Sequence, residues 1–217
     1  SPPIRISIGI PAGTSAFLGE SVATTIYPEG VTSITPIQRK DIEQVIFVDS
    51  TVGSKAEGVQ RVWDVSAQGD DTILAWTSDT TAPYTVYIGS DYEIFANQNS
   101  SFLFSYIGSS AQATETETIK DLGLLNINSV LDMSYMFNFC GSTAMTSLEL
   151  GTYFDTSDVM YMTGMFQLCG TTAMETLDLG ESFDTQNVVD MSYMFNQTGT
   201  TAMTTFDLGA KFDTSNV

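Results

Sequence analysis

At 217 residues with 42% hydrophobic content, the chain is long enough for one or two packed domains and is not composed like a disordered tail. Its 26 acidic residues against 7 basic ones give a formal net charge of -19, a field that repels nucleic-acid backbones and anionic membranes, which are held by clustered Lys and Arg. The absence of histidine excludes Ser-His-Asp, Cys-His and histidine-dependent metal chemistry, and no apolar run nears the roughly 20 residues that cross a bilayer.

Ser1-Pro2-Pro3 shows neither a charged n-region nor an apolar h-region, so a signal peptide is expected to have been removed or never to have existed; loss of an initiator Met before a small Ser leaves the same start. Ile4, Ile6, Ile8 and Ile10 alternate with other residues at the period of a half-buried strand. Pro11, Gly13, Pro28, Gly30 and Pro36 then punctuate a stretch that holds short β-type runs at 23 to 27 and 45 to 48. Residues 1–55 are therefore expected to form a β-rich anchoring or assembly module, followed by a polar, glycine-containing hinge at 51 to 58.

Three further strands are predicted at 59 to 65, 72 to 76 and 84 to 88, where β-branched and aromatic residues cluster between polar turns. Residues 59–104 thus read as a β-meander that leads into, and caps, the solenoid predicted for residues 105–217. Trp63, Trp76, Tyr84, Tyr87, Tyr92, Phe95, Phe102 and Phe104 suit a carbohydrate platform or a small core. At strand spacing the core is the preferred reading.

From residue 125 the chain repeats itself every 29 residues without insertion or loss. One column is Val130, Val159, Val188 and Val217; others are Met133, Met162, Met191, then Met136, Met165, Met194, then Phe137, Phe166, Phe195. Leu150, Leu179 and Leu208 form a further column, each followed by glycine. A fixed period of 20 to 50 residues marks a solenoid or array whose units bury their apolar faces against their neighbours, so these residues are predicted to form the interior of residues 105–217. The alternation at 146 to 151, 175 to 180 and 204 to 209 predicts one parallel strand per copy. The Val-x-x-Met-x-x-Met-Phe run suits a helical turn or a short second strand folded inward. Leu103-Phe104 resembles Met136-Phe137 at a step of 33, so the first turn carries a four-residue excess, expected within 109 to 118. All ten methionines lie between Met133 and Met203, as befits a residue that fills irregular interior gaps.

Cys140 and Cys169 occupy one slot in adjacent copies. Neighbouring β-rungs stand about 5 Å apart, close enough for a disulfide, but parallel side chains favour a buried thiol column without a bond. Asp155, Asp184 and Asp213 mark a polar corner of each copy. They are expected to fix the turn by accepting a backbone hydrogen bond; the sharper alternative is a calcium ladder.

With Asp132-Met133-Ser134-Tyr135-Met136-Phe137-x-x-Cys140 and its later copies, and with Phe154-Asp155-Thr156-Ser157-Asp158-Val159 and Phe212-Asp213-Thr214-Ser215-Asn216-Val217, residues 125–217 resemble the methionine-rich repeat of BspA-like leucine-rich-repeat surface proteins, also called the mycoplasma-type lipoprotein repeat. A weaker likeness reaches back to about residue 59, through Tyr84-Thr85-Val86-Tyr87-Ile88-Gly89 and the Asn-rich stretch before Leu103. The unit is longer than the family's usual one, with residues 141 to 145 and their copies supplying the excess, and residues 1 to 58 do not share the resemblance. The resemblance implies a leucine-rich-repeat-like solenoid used for adhesion or binding at a microbial surface, without enzymatic activity.

The expected fold class is mainly β: a small N-terminal β module followed by a leucine-rich-repeat-like solenoid with 29-residue coils. The expected function is non-enzymatic surface display. The N-terminal module attaches to a larger assembly or homo-oligomer, and the solenoid binds a protein or glycan on a cell surface. The setting is extracellular, on a bacterial cell surface or a phage fibre or capsid decoration. No cofactor, nucleic-acid partner or membrane insertion is expected. The alternatives are a carbohydrate-active enzyme using paired carboxylates and a calcium-stabilised spacer. Val217 matches Val188, so a cap on the last copy is expected from further chain or from another molecule.

Overall fold

The computed structural model describes residues 25–26 and 37–217. The alternating isoleucines at 4 to 10 and the punctuated stretch beyond them lie outside the described residues, apart from the short strand at 25–26. The protein is mainly β. Among the described residues there are eleven strands and three 3-10 turns, and no longer helix.

The strands are β1 (Thr25–Ile26), β2 (Ile42–Val48), β3 (Arg61–Asp64), β4 (Leu74–Thr77), β5 (Tyr84–Gly89), β6 (Ile94–Phe95), β7 (Ile119–Lys120), β8 (Leu125–Asn126), β9 (Ser147–Glu149), β10 (Thr176–Asp178) and β11 (Thr205–Asp207). Six of them form one sheet in the order β1-β3-β4-β5-β2-β7. Its first half is the expected antiparallel meander, with β3, β4 and β5 paired through Val62 and Trp76 and through Trp76 and Tyr87. The second half is parallel: β2 inserts between β5 and β7.

This sheet crosses the boundary drawn at residues 55 to 59. Ile42, Val45 and Phe47 on β2 and Val86 and Ile88 on β5 are all fully buried in the same cluster, so burial of these apolar residues ties the two segments together. The stretch 51 to 58 contains a 3-10 turn at Val52–Lys55; its start is anchored, with Ser54 buried, while residues 55 to 58 are exposed. Asp91 accepts hydrogen bonds from the Thr51 N–H and from the Thr51 and Ser50 hydroxyls. A Cβ on Gly53 would come within 2.7 Å of the Trp76 ring.

The 29-residue copies lie on one another in register. β9, β10 and β11 form a parallel sheet in which Ser147, Thr176 and Thr205 are successive partners, as are Leu148, Leu177 and Phe206. The opposite side of each copy, where the methionines cluster, is neither a helical turn nor a strand. Met133, Tyr135, Phe137 and Phe139 donate their N–H groups to Tyr161, Thr163, Met165 and Gln167 of the next copy, while Met136, Asn138 and Cys140 donate to the carbonyls three residues behind them. Left-handed backbone at Tyr135 and Phe139, repeated at Gly164 and Leu168 and at Tyr193 and Gln197, resets the direction after each turn, so that no helix propagates. The result is a run of turns whose alternate residues pair like a strand with the copy beyond. Glycine is needed where this run ends: Gly141, Gly170 and Gly199 share a positive φ near 56°, and a Cβ on Gly141 would collide with the Met145 side chain.

One interior extends through both regions, from Ile37 and Phe47 to Val188 and Met194. Its axis is a file of phenyl rings. Phe104, Phe137, Phe166 and Phe195 stack with centroid separations of 5.5, 5.4 and 5.5 Å. Phe47 of β2 closes the first end edge-on at 6.0 Å.

Candidate functional site

Of the predicted interior residues, Val130, Met133, Met136, Phe137, Leu150, Val159, Met162, Met165, Phe166, Leu179, Val188 and Met194 are buried. Met191, Phe195 and Leu208 pack on the same cluster but are only partly buried, because the last copy has a neighbour on one side alone. A second file is not among the columns predicted from sequence. Phe154, Phe183 and Phe212 lie against Phe137, Phe166 and Phe195 at 6.5, 6.4 and 6.1 Å. Their repetition at step 29 was the available signal. The first copy stacks at step 33, with Phe102 on Tyr135 and Tyr106 on Phe139; the register then falls from 34 residues at Ser109–Thr143 to 30 at Thr116–Thr146, so the excess lies between them.

Cys140 and Cys169 are buried free thiols. Burial, and then the neighbouring Cys169 thiol, push the Cys140 thiol well above its ordinary range.

The copies are also joined by buried hydroxyls. Thr156 donates to the Asp184 carbonyl at 2.7 Å and accepts from the Asp184 N–H at 2.7 Å. Thr185 makes the same pair of bonds with Asp213. Both threonines are buried, and each hydroxyl is satisfied as donor and as acceptor by the backbone of the next copy.

Arg39 gives the first copy what it lacks. In the second copy the carbonyls of Met136 and Asn138 accept from Phe104 and Tyr106 of the copy before. The matching carbonyls one step of 33 earlier, Leu103 and Ser105, have no such copy ahead of them, and the Arg39 guanidinium donates to both at 3.2 Å and to Phe102 at 2.7 Å. Desolvation by burial lowers its pKa to about 10, still far above neutrality, so the group stays charged. Nothing periodic in the sequence singles Arg39 out.

The corner acids serve their own turns. Asp155, Asp184 and Asp213 accept from the N–H two residues on, at 3.0, 2.9 and 2.8 Å. Asp132 and Asp190 do the same in the methionine run. Asp178 and Asp207, opposed on β10 and β11, line a depression of about 610 Å³ with Glu181, and each accepts from the glycine that ends its strand. Among the described residues no group of three or more Cys, Asp or Glu side chains is placed to hold a metal ion.

A groove follows the stacking direction and adjoins the depression beside Asp178 at Thr152. A depression of about 410 Å³ lies beside Asp91, Tyr92 and Leu124. It meets a second, of about 350 Å³, beside Tyr153, Asp155 and Ser182; the two share Glu93, Gly123 and Asn126. Asn126 donates to Glu93 at 2.7 Å across the groove floor. Tyr92 is 65% exposed and Tyr153 83% exposed. Of the predicted aromatic cluster, Trp63, Trp76 and Phe104 are buried and Tyr84, Tyr87, Phe95 and Phe102 half-buried, while Tyr92 stands outside. Tyr153 carries no signal in the sequence that sets it apart.

Geometry of this kind, a mainly β chain whose copies pair in register at a constant step, defines a repeat protein. The family model described as "Mycoplasma protein of unknown function, DUF285" matches residues 106–217, more than half of the chain, and the protein belongs to that family. No curated protein and no solved structure matched the chain. No helix among the described residues is long and apolar enough to cross a membrane.

Proposed function

We propose that this is a non-enzymatic surface-display protein whose copies form a leucine-rich-repeat-like solenoid of the BspA type, and that the solenoid binds a receptor on a cell surface. The observation that carries the reading is a division of labour among positions one step apart. The interior columns hold the same residue in each copy, as in Phe137, Phe166 and Phe195, while outward positions differ, as in Tyr153, Ser182 and Lys211, or Asp158, Asn187 and Asn216. A constant scaffold with a variable face is how repeat proteins build extended binding surfaces.

Two features favour binding over catalysis. Seven acids of the repeats, Asp132, Asp155, Asp178, Asp184, Asp190, Asp207 and Asp213, accept from the backbone of their own turns, and the chain offers no histidine to act as base or nucleophile partner. Membership of a family described by its Mycoplasma proteins supports a microbial setting, and the function is assigned to the outside of a bacterial cell or a phage particle. The partner is a protein or glycan of the encountered surface, engaged by the chain within a homo-oligomer or larger assembly.

The test is retention of the labelled protein on intact cells. Saturable binding to at least one bacterial or host cell type, displaced by unlabelled protein and unaccompanied by release of soluble sugar, is expected. Non-saturable binding on every cell type, or sugar release, contradicts the proposal.

A further inference from the structure

We propose that the groove from Tyr92 to Tyr153 is a glycan-binding site that takes an extended, uncharged polysaccharide lying along the stack; this rests on the surface-display reading and names its ligand class. The first support is the pair of exposed rings, Tyr92 lining one depression and Tyr153 the other. A tyrosine ring offers an apolar face and a polar tip, which suits the alternating apolar and hydroxylated faces of a sugar. Tyr92 and Tyr153 are the two most exposed of the large aromatics that line a depression, and exposed rings beside a pre-formed depression mark a contact surface.

The polar lining has the matching chemistry. Glu93, Asn126, Asn128, Asp155 and Ser182 offer acceptors and amide or hydroxyl donors, and no Lys or Arg lines either depression. Hydroxyl groups are read by such neutral and acceptor-rich sets. An anionic glycan would meet four carboxylates and no cation. A basic peptide is the competing partner, but three of the four groove acids, all except Asp49, already have local donors: Asp91 takes bonds from Ser50 and Thr51, Glu93 from Asn126 and Asp155 from Ser157. Such compensation weakens the pull on a second cation.

The shape selects a chain over a single ring. The groove passes from β6 and β8, which are register partners at Phe95 and Asn126, to Tyr153 and Asp155 and on to Ser182 in the copy beyond. Successive rungs stand about 4.8 Å apart, so the lining presents repeated polar positions along one direction.

Native electrophoresis of the intact protein through gels containing soluble glucan, glucomannan, mannan or amylopectin tests the proposal, with polylysine as the basic probe. At least one neutral polysaccharide is expected to retard the protein, and to do so equally in about 1 M salt, where the screening length is about 3 Å. Tyr92→Ala and Tyr153→Ala should each weaken retention about tenfold, Tyr153→Phe should preserve it, and Tyr193→Ala, on an exposed ring outside the groove, should leave it unchanged. Thermal melts matching wild type verify that the exposed substitutions leave the fold intact. Retardation by polylysine alone, lost in salt, overturns the inference, as does indifference of glycan binding to Tyr92→Ala and Tyr153→Ala together. If cell retention persists in that double variant while no polysaccharide binds, the glycan site fails and the display function stands; loss of saturable retention in wild type removes both.

Discussion

The six-stranded sheet and the stacked copies share one interior but fill it differently. In the sheet each buried side chain has its own partners: Trp76 lies over Gly53 and stacks on Tyr87 at 5.7 Å, and Phe47 meets Phe104 edge-on. In the copies the central buried rings have their own equivalents as partners one step away, and Phe137 and Phe166 are parallel to within 1°. A unique core depends on particular pairs. A repeated core depends on register, and each copy draws support from the next. The junction of the two is where a particular residue must stand in for a missing copy, and Arg39 does so.

Substitutions that separate these two kinds of support sharpen the contrast. Phe166→Ala, which empties a site flanked by rings on both sides, is expected to cost about 3–5 kcal/mol in denaturant unfolding; Phe195→Ala, on a half-buried ring, should cost clearly less. Equal losses would mean that the column does not depend on flanking copies. Arg39→Leu leaves the Leu103 and Ser105 carbonyls without their cation, at about 1–3 kcal/mol for each buried acceptor. Hydrogen exchange should show that loss first at residues 102 to 106 and only later in the third copy; uniform loss contradicts the capping role.

Thr156→Val keeps shape but removes the hydroxyl that serves both backbone groups of Asp184, and about 1–3 kcal/mol is expected. The smallest effect is electrostatic. Hydrogen bonds from the backbone N–H of Ser192 and Ser215 hold Asp190 and Asp213 below the usual carboxylate range. A lowered folded pKa means that the unfolded chain binds more protons, so this stability is present above about pH 3.9 and is lost as pH falls below that value. The double variant Asp190→Asn, Asp213→Asn should therefore show a shallower fall in melting temperature between about pH 5 and pH 2 than wild type, and an unchanged slope would mean that the two acids do not contribute to acid sensitivity.

The interior of the repeats was legible because the chain carries its own alignment: a column that stays Met or Phe over three copies can only be facing inward. The strand at the end of each copy was legible from alternation and its closing glycine. The run of turns was not, since the left-handed residues that shape it include Tyr135 and Phe139, which carry no local signal for that backbone. The parallel seat of β2 between β5 and β7 was equally hidden, because pairing between residues 45 and 119 is settled by shared burial and not by the segment's own pattern. The groove was invisible for a related reason: Tyr92 reads like its buried aromatic neighbours until the fold turns it outward.

Register between copies underlies both the shared interior and the groove, and methyl-to-methyl nuclear Overhauser contacts among labelled methionines measure it most directly. Cross-peaks should link Met133 to Met162 and Met162 to Met191, and likewise Met136 to Met165 and Met165 to Met194, with none from Met133 to Met191. Absence of the one-step contacts, or contacts that skip a copy, would contradict the stacking.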